Sequence, residues 1–143
     1  MQPTSRFQYS LKALVDLALH QTTGPVTVAA IARRQSIPAP SLEQLLNQLR
    51  RKGVVAAERG PRGGYRLNRP AEQISLLEIF ELFEPMRQSR AFGKDGADPT
   101  QWIWQQVEKA VRTTLTAATL KNLADQMHDF VVTPIQHRYT FHI

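Results

Sequence analysis

Cysteine is absent from all 143 residues, which excludes disulfides, redox-active thiols and thiolate metal sites together. Long apolar runs are absent too. None approaches the ~20 residues that a membrane span needs. Met1–Arg6 is polar, and the apolar positions from Phe7 to Leu19 are interrupted by Lys12 and Asp16 and followed by His20. That is not the pattern of a secretory leader, so the expected location is the cytoplasm, with no membrane partner. No Walker loop, Rossmann glycine pattern, HExxH or GxSxG motif is present, and nothing joins Ser5, Asp16 and His20 as a triad. No catalytic residue is named and no enzyme is expected. His20, His128, His137 and His142 form no pair at i, i+3 or i, i+4, so no metal site is expected either.

What is present is basic charge, unevenly spread. Residues 1–70 hold eleven basic and three acidic side chains, a net of +8, whereas residues 71–143 net −2. A basic half beside a neutral-to-acidic half suits a polyanion-binding module with a separate interaction element, although basic surfaces also simply solubilise. The length fits about one domain, and a hydrophobic fraction of 42% allows a compact core.

Along the chain, Ser5 can cap a helix in which Leu11, Leu14, Val15 and Ala18 form one stripe, ended by Gly24-Pro25. Thr27 precedes a short helix with Val28, Ile31 and Ala32, ending about Gln35. After the turn Gln35–Pro38, a third helix carries Leu42, Leu45, Leu46 and Leu49, closed by Gly53. Two short helices across a tight turn are the helix-turn-helix pattern, which any small helical bundle can also contain. Val54–Ala57 and Tyr65–Leu67 then read as strands flanking Arg59-Gly60-Pro61-Arg62-Gly63-Gly64, a basic-tipped hairpin. Ser75-Leu76-Leu77-Glu78 reads as a capping box. Asp98-Pro99 opens a long helix with apolar positions at Ile103, Val107, Ala110, Val111, Leu115 and Ala118. Thr119-Leu120 can cap a further short helix, and the tail from Asp129 alternates loosely, as an extra strand or a flexible end would.

Three constellations follow. On the third helix, the face opposite the leucines holds Pro40, Gln44, Asn47 and Arg51, flanked by Ser41, Glu43 and Gln48. In helix-turn-helix docking the N-terminal residues reach base edges, which favours Pro40, Ser41, Glu43 and Gln44, with Gln48 behind them. Gln44 suits adenine and Glu43 suits cytosine N4. Ser5, Arg33, Arg50 and Arg51 are phosphate candidates, with Lys52 beside them. In the hairpin, Arg59 and Arg62 suit the minor groove or phosphates, Gly63 permits close backbone approach, and Tyr65 completes the motif. On the long helix, Trp102, Ile103, Val107, Ala110, Val111 and Leu115 are candidates for dimerisation, with packing onto the winged domain as the competing account. Trp102 can anchor one of these contacts and Ile103–Leu115 the other.

These residues resemble the Rrf2 family of winged-helix regulators. The likeness rests on Thr4-Ser5, Tyr9, Ala13-Leu14, Asp16-Leu17-Ala18, Gly24-Pro25-Val26, Ile31-Ala32, Ile37, Leu42-Glu43-Gln44-Leu45, Leu49-Arg50, Gly53-Val54-Val55 and, above all, Arg59-Gly60-Pro61-x-Gly63-Gly64-Tyr65. It runs through about Glu84 and resumes weakly at Leu115 and Thr119-Leu120-x-x-Leu123. The resemblance implies a homodimer with crossed long helices, regulating genes at a roughly palindromic site. It also implies that Glu43 discriminates sequence and that Arg59 enters the minor groove. Pro40 and Ser41 depart from the commoner polar and aromatic pair, and Arg62 stands where many members have glycine. Members that sense redox or cluster status place three cysteines where Arg87–Thr100 lies here, and this segment has none. No iron–sulfur cofactor is therefore expected, leaving control to a small-molecule effector, a partner protein or abundance.

The expected fold is mainly α with a small β-hairpin wing. It comprises a winged helix-turn-helix domain over 1–84 (helix-turn-helix about 28–51, wing about 54–67), a connector over 85–98, a dimerisation helix region over 99–128 and a tail over 129–143. The expected function is sequence-specific binding of double-stranded DNA as a homodimeric transcriptional regulator. The competing class is a protein-interaction adaptor with vestigial DNA binding.

Overall fold

A computed structural model describes residues 3–84 and 98–132, the last four of these by backbone alone. Helix α1 (Ser5–His20) begins one residue earlier than expected. Thr4, not Ser5, is the N-cap: its backbone is extended and its hydroxyl accepts the Phe7 N–H at 3.3 Å, while Ser5 is already helical. A 3-10 turn over Gln21–Thr23 leads to Gly24.

Helix α2 (Val28–Gln35) is capped by Thr27, whose hydroxyl accepts the Ala30 N–H at 3.1 Å. Ser36 then adopts a left-handed conformation (φ 54°), turning the chain so that Ile37 is buried and Pro38 leads into α3 (Ala39–Arg51). Pro40 lies in the first turn of α3, where a missing N–H costs nothing. Leu42, Leu45, Leu46 and Leu49 are all buried, as their spacing predicts. Gly53 (φ 74°) ends the helix by donating to the Arg50 carbonyl at 3.0 Å.

Strands β1 (Val55–Glu58) and β2 (Gly64–Leu67) pair antiparallel, with Val55 opposite Leu67 and Glu58 opposite Gly64. Val26 adds a one-residue third strand, exchanging backbone bonds with Tyr65 at 2.8 and 2.7 Å. This closeness requires glycine at position 64, because a Cβ there would sit 2.3 Å from the Val26 carbonyl oxygen.

Helix α4 (Leu76–Phe83) is capped by Ser75, which accepts the Leu77 N–H at 3.2 Å. The other half of the expected capping box does not form. Glu78 accepts from both terminal nitrogens of Arg69 instead, Nη1 at 3.1 Å, because the guanidinium offers a charged, two-pronged partner. Asp98 caps α5 (Pro99–Ala117), accepting the Thr100 N–H at 2.9 Å. Thr119 and Asn122 cap α6 (Leu120–Val132) reciprocally, at 2.9 and 3.2 Å.

The core gathers Leu14 and Leu17 of α1, Ile31 of α2, the α3 leucines, Val54, Val55, Ile74 and Ile79. Leu120 of α6 joins it, and α6 packs along α1. Between α5 and α6 the chain is stitched to the segment before α4. Leu76 donates to Ala118 at 3.0 Å, and Leu120 donates to Ile74 at 2.8 Å. The expectation of a strand or loose end from Asp129 fails for 129–132, where α6 simply continues its helical hydrogen bonding. Residues 133–143 and the connector residues 85–97 lie outside the described part. No helix among the described residues is long and apolar enough to cross a membrane.

Candidate nucleic-acid interface

With its leucines inward, α3 leaves Pro40, Ser41, Glu43, Gln44 and Arg51 exposed, while Asn47 and Gln48 are half-buried. Asn47 is already engaged, its Oδ1 accepting from Arg50 Nη2 at 2.8 Å. The exposed polar set therefore concentrates toward the N-terminal half of the helix, where a helix in a major groove meets base edges. No side chain caps that end.

The fold sorts the basic residues of positions 33–69 into two groups. Arg34 pairs with Asp16 at 2.7 Å, Arg66 with Glu58 at 3.0 Å, and Arg69 with Glu78. Arg33, Arg50, Arg51, Lys52, Arg59 and Arg62 are exposed, and among the described residues none forms an ion pair. All six cations named from the sequence fall in this second group. Their charge is uncancelled by any bound carboxylate and is available to a polyanion. Ser5 is exposed in the first turn of α1.

In the wing, Arg59 and Arg62 flank the turn at Gly60 (φ 112°), which is closed by a bond from the Gly63 N–H to the Gly60 carbonyl at 2.9 Å. A Cβ on Gly63 would meet the Glu58 carbonyl oxygen at 2.4 Å, so the hairpin itself demands this glycine. Tyr65 is half-buried against the core and holds Val26 through its backbone. Exposed, extendable groups at the tip are thus the two arginines, while Gly63 and Tyr65 shape what carries them.

Beneath the helix-turn-helix lies a cluster that the sequence reading passed over. Asp16 is fully buried in the apolar face of α1, between Val15 and Leu17. Its carboxylate accepts from Arg34 Nε at 2.9 Å, Arg34 Nη2 at 2.7 Å and Gln35 Nε2 at 3.0 Å. His20 Nδ1 lies 3.6 Å from the same carboxylate and donates to the Asp16 carbonyl at 2.9 Å. Burial alone raises the carboxyl pKa, but these hydrogen bonds and the Arg34 charge outweigh it and hold Asp16 below the ordinary value. A charged residue interrupting an apolar stripe was the available signal.

Helix α5 stands apart from this surface. None of its residues is buried, and Trp102, Ile103 and Trp104 are 62%, 48% and 60% exposed. Its C-terminal part meets α4, through Ser75 Oγ donating to the Leu115 carbonyl at 3.2 Å and through Arg112 with Glu81 at 2.7 Å. The contact with α4 therefore lies at the Leu115 end of the helix, away from the exposed Trp102. Trp104 is a large apolar group absent from the expected set.

Residues 3–126 match the family model Rrf2, described as an iron-dependent transcriptional regulator. The chain belongs to the Rrf2 family. It is 44% identical over 131 residues to the HTH-type transcriptional regulator slr0846 of Synechocystis sp., covering 86% of this chain and 87% of that one. It is 35% identical to the HTH-type transcriptional regulator IscR of Serratia proteamaculans, covering 98% and 89% respectively. Among solved structures, IscR of T. potens superposes with a TM-score of 0.82 at 29% identity, over 97% of both chains. CymR, the global cysteine regulator of B. subtilis, does so with a TM-score of 0.79 at 27% identity, over 88% of this chain and 98% of that one. The winged helix-turn-helix fold and the role of a DNA-binding transcriptional regulator of the Rrf2 type follow. This Rrf2 protein nevertheless lacks the donors for an iron–sulfur cluster, which depends chiefly on thiolates. Among the described residues, no group of three or more His, Asp or Glu is placed to hold a metal ion. Its donor set does not fit the cofactor.

Proposed function

We propose that this regulator acts in the cytoplasm as a homodimer on a roughly palindromic duplex operator, without an iron–sulfur cluster. The observation that carries the reading is the sorting of charge: the cations of α3 and the wing tip stay unpaired while their neighbours are neutralised. Residues 1–84 form the DNA-binding part, in which Pro40, Ser41, Glu43, Gln44 and Gln48 read bases. Ser5, Arg33, Arg50 and Arg51 hold phosphates. Arg59 and Arg62, supported by Gly63 and Tyr65, take the minor groove or the flanking backbone. Residues 99–128 supply the dimer contact through Trp102, Ile103, Val107, Ala110, Val111 and Leu115. Control falls to a small ligand, a partner protein or abundance. The adaptor alternative has no observation in its favour.

Selection from a pool of randomised duplexes tests this reading. The chain is expected to enrich one motif with twofold symmetry and to bind it with a steep salt dependence. Arg59→Ala is expected to weaken binding by about tenfold, more on A·T-rich than on G·C-rich flanks. Equal binding of all duplexes at physiological salt would remove the claim of specificity. Anaerobic loading that yields stoichiometric iron and sulfide would overturn the claim that no cluster binds.

A further inference from the structure

The buried Asp16 cluster joins α1 to the last two residues of α2. Arg34 presents two nitrogens to the carboxylate and Gln35 a third, and the Ser36–Pro38 turn into α3 follows at once. Helix α2 is only eight residues long, and Ile31 is its one fully buried residue. Val28, Ala30 and Ala32 pack only partly against the core, so apolar contact fixes how near this short helix sits more firmly than its rotation about its own axis. A guanidinium meeting a carboxylate through two parallel bonds does fix rotation, because both groups are planar.

The cluster is also an expensive way to hold two helices together. Burying a charge costs solvation, and apolar replacements of similar volume often match or exceed a buried ion pair in stability. What the pair adds is direction. We infer that Asp16 is a positioning residue for sequence recognition: through Arg34 and Gln35 it fixes the end of α2, and through the Ser36–Pro38 turn the seating of α3 on DNA, while touching no DNA itself. Base readout depends on placement within a fraction of an ångström, whereas attraction to phosphates tolerates displacement. The clamp therefore governs specific affinity and leaves non-specific affinity alone, so it sets their ratio. This inference rests on the sequence-specific reading proposed above.

The test uses the full chain and two probes: the duplex enriched by the wild-type chain from a randomised pool, and a shuffled duplex of the same composition. In Asp16→Asn and in Arg34→Lys the specific-to-non-specific ratio is expected to fall by about tenfold, with the shuffled-duplex affinity and its salt slope unchanged. Arg34→Lys keeps the charge and loses the fork, so it tests the inference even if Asp16→Asn does not fold. The double variant Asp16→Leu/Arg34→Met is expected to melt no lower than the wild type and still show the reduced ratio. Folded single variants with the wild-type ratio would overturn the inference. Parallel loss on both duplexes, or recovery of the ratio by the apolar double variant, would also overturn it. Should the wild type enrich no sequence at all, the recognition reading falls, and this inference with it.

Discussion

Asp16 illustrates how one side chain can be costly and still define geometry. Its depressed pKa makes folding pH-dependent with a fixed sign. The stabilisation is fully present above the unfolded value of 3.8 and is lost as pH falls through the lower folded value. Arg34 and Gln35 on α2 and His20 on α1 are the groups facing it, and Arg34 stays protonated throughout this window. At neutral pH, Asp16→Asn is expected to cost about 2–3 kcal/mol, at the low end for a buried pair because Arg34 is a third exposed. Thermal melts of wild type and variant should converge as pH falls below 3.8, and a constant gap would refute the pairing. The sequence could not reveal this residue's partners, since Arg34 lies eighteen positions away and helical periodicity reports only contacts within an element. The exposed polar face of α3 was more legible. Glu43 and Gln44 are exposed because Leu42, Leu45 and Leu46 fill the inner face, which is a statement about period alone.

The wing shows why an element's reach depends on what holds its base. Val26 and Tyr65 tie the hairpin to the segment between α1 and α2, and Gly64 permits that closeness. Gly64→Ala is expected to destabilise by about 2 kcal/mol or more, read as a lowered melting temperature, since a backbone oxygen cannot step aside as a side chain can. At the tip, Arg62→Gly should leave stability unchanged and reduce the salt slope of DNA binding by about one counterion per protomer. An unaltered slope would remove Arg62 from the interface. Element identities were readable from local chemistry: Thr27, Ser75 and Asp98 all cap the helices their positions predicted. Misplaced details had local competitors. Thr4 and Ser5 are both capping residues in adjacent positions, and Glu78 chose Arg69 over the backbone because a guanidinium nine residues upstream folds back beside it.

For the whole molecule, α5 is the feature that a single chain leaves unfinished. Trp102, Ile103 and Trp104, large apolar side chains exposed around the start of α5, suit cover by a second copy better than water. Ile103→Asp is therefore expected to shift the species in sedimentation from about twice 16.2 kDa toward the single-chain mass, with a parallel loss of operator affinity. A wild-type chain that sediments singly at micromolar concentration would refute the dimer. The long helix α5 could be anticipated from periodicity, but the destination of α6 could not. Leu120, Leu123 and Met127 look like any amphipathic stripe until the fold brings them to α1. That return path has a consequence for how the protein comes apart. With Leu120 inserted among residues from the first half of the chain, the reading head has no complete interior of its own. Head and arm should consequently lose structure in one cooperative step, so a fragment severed between them would inherit a hollow rather than a domain.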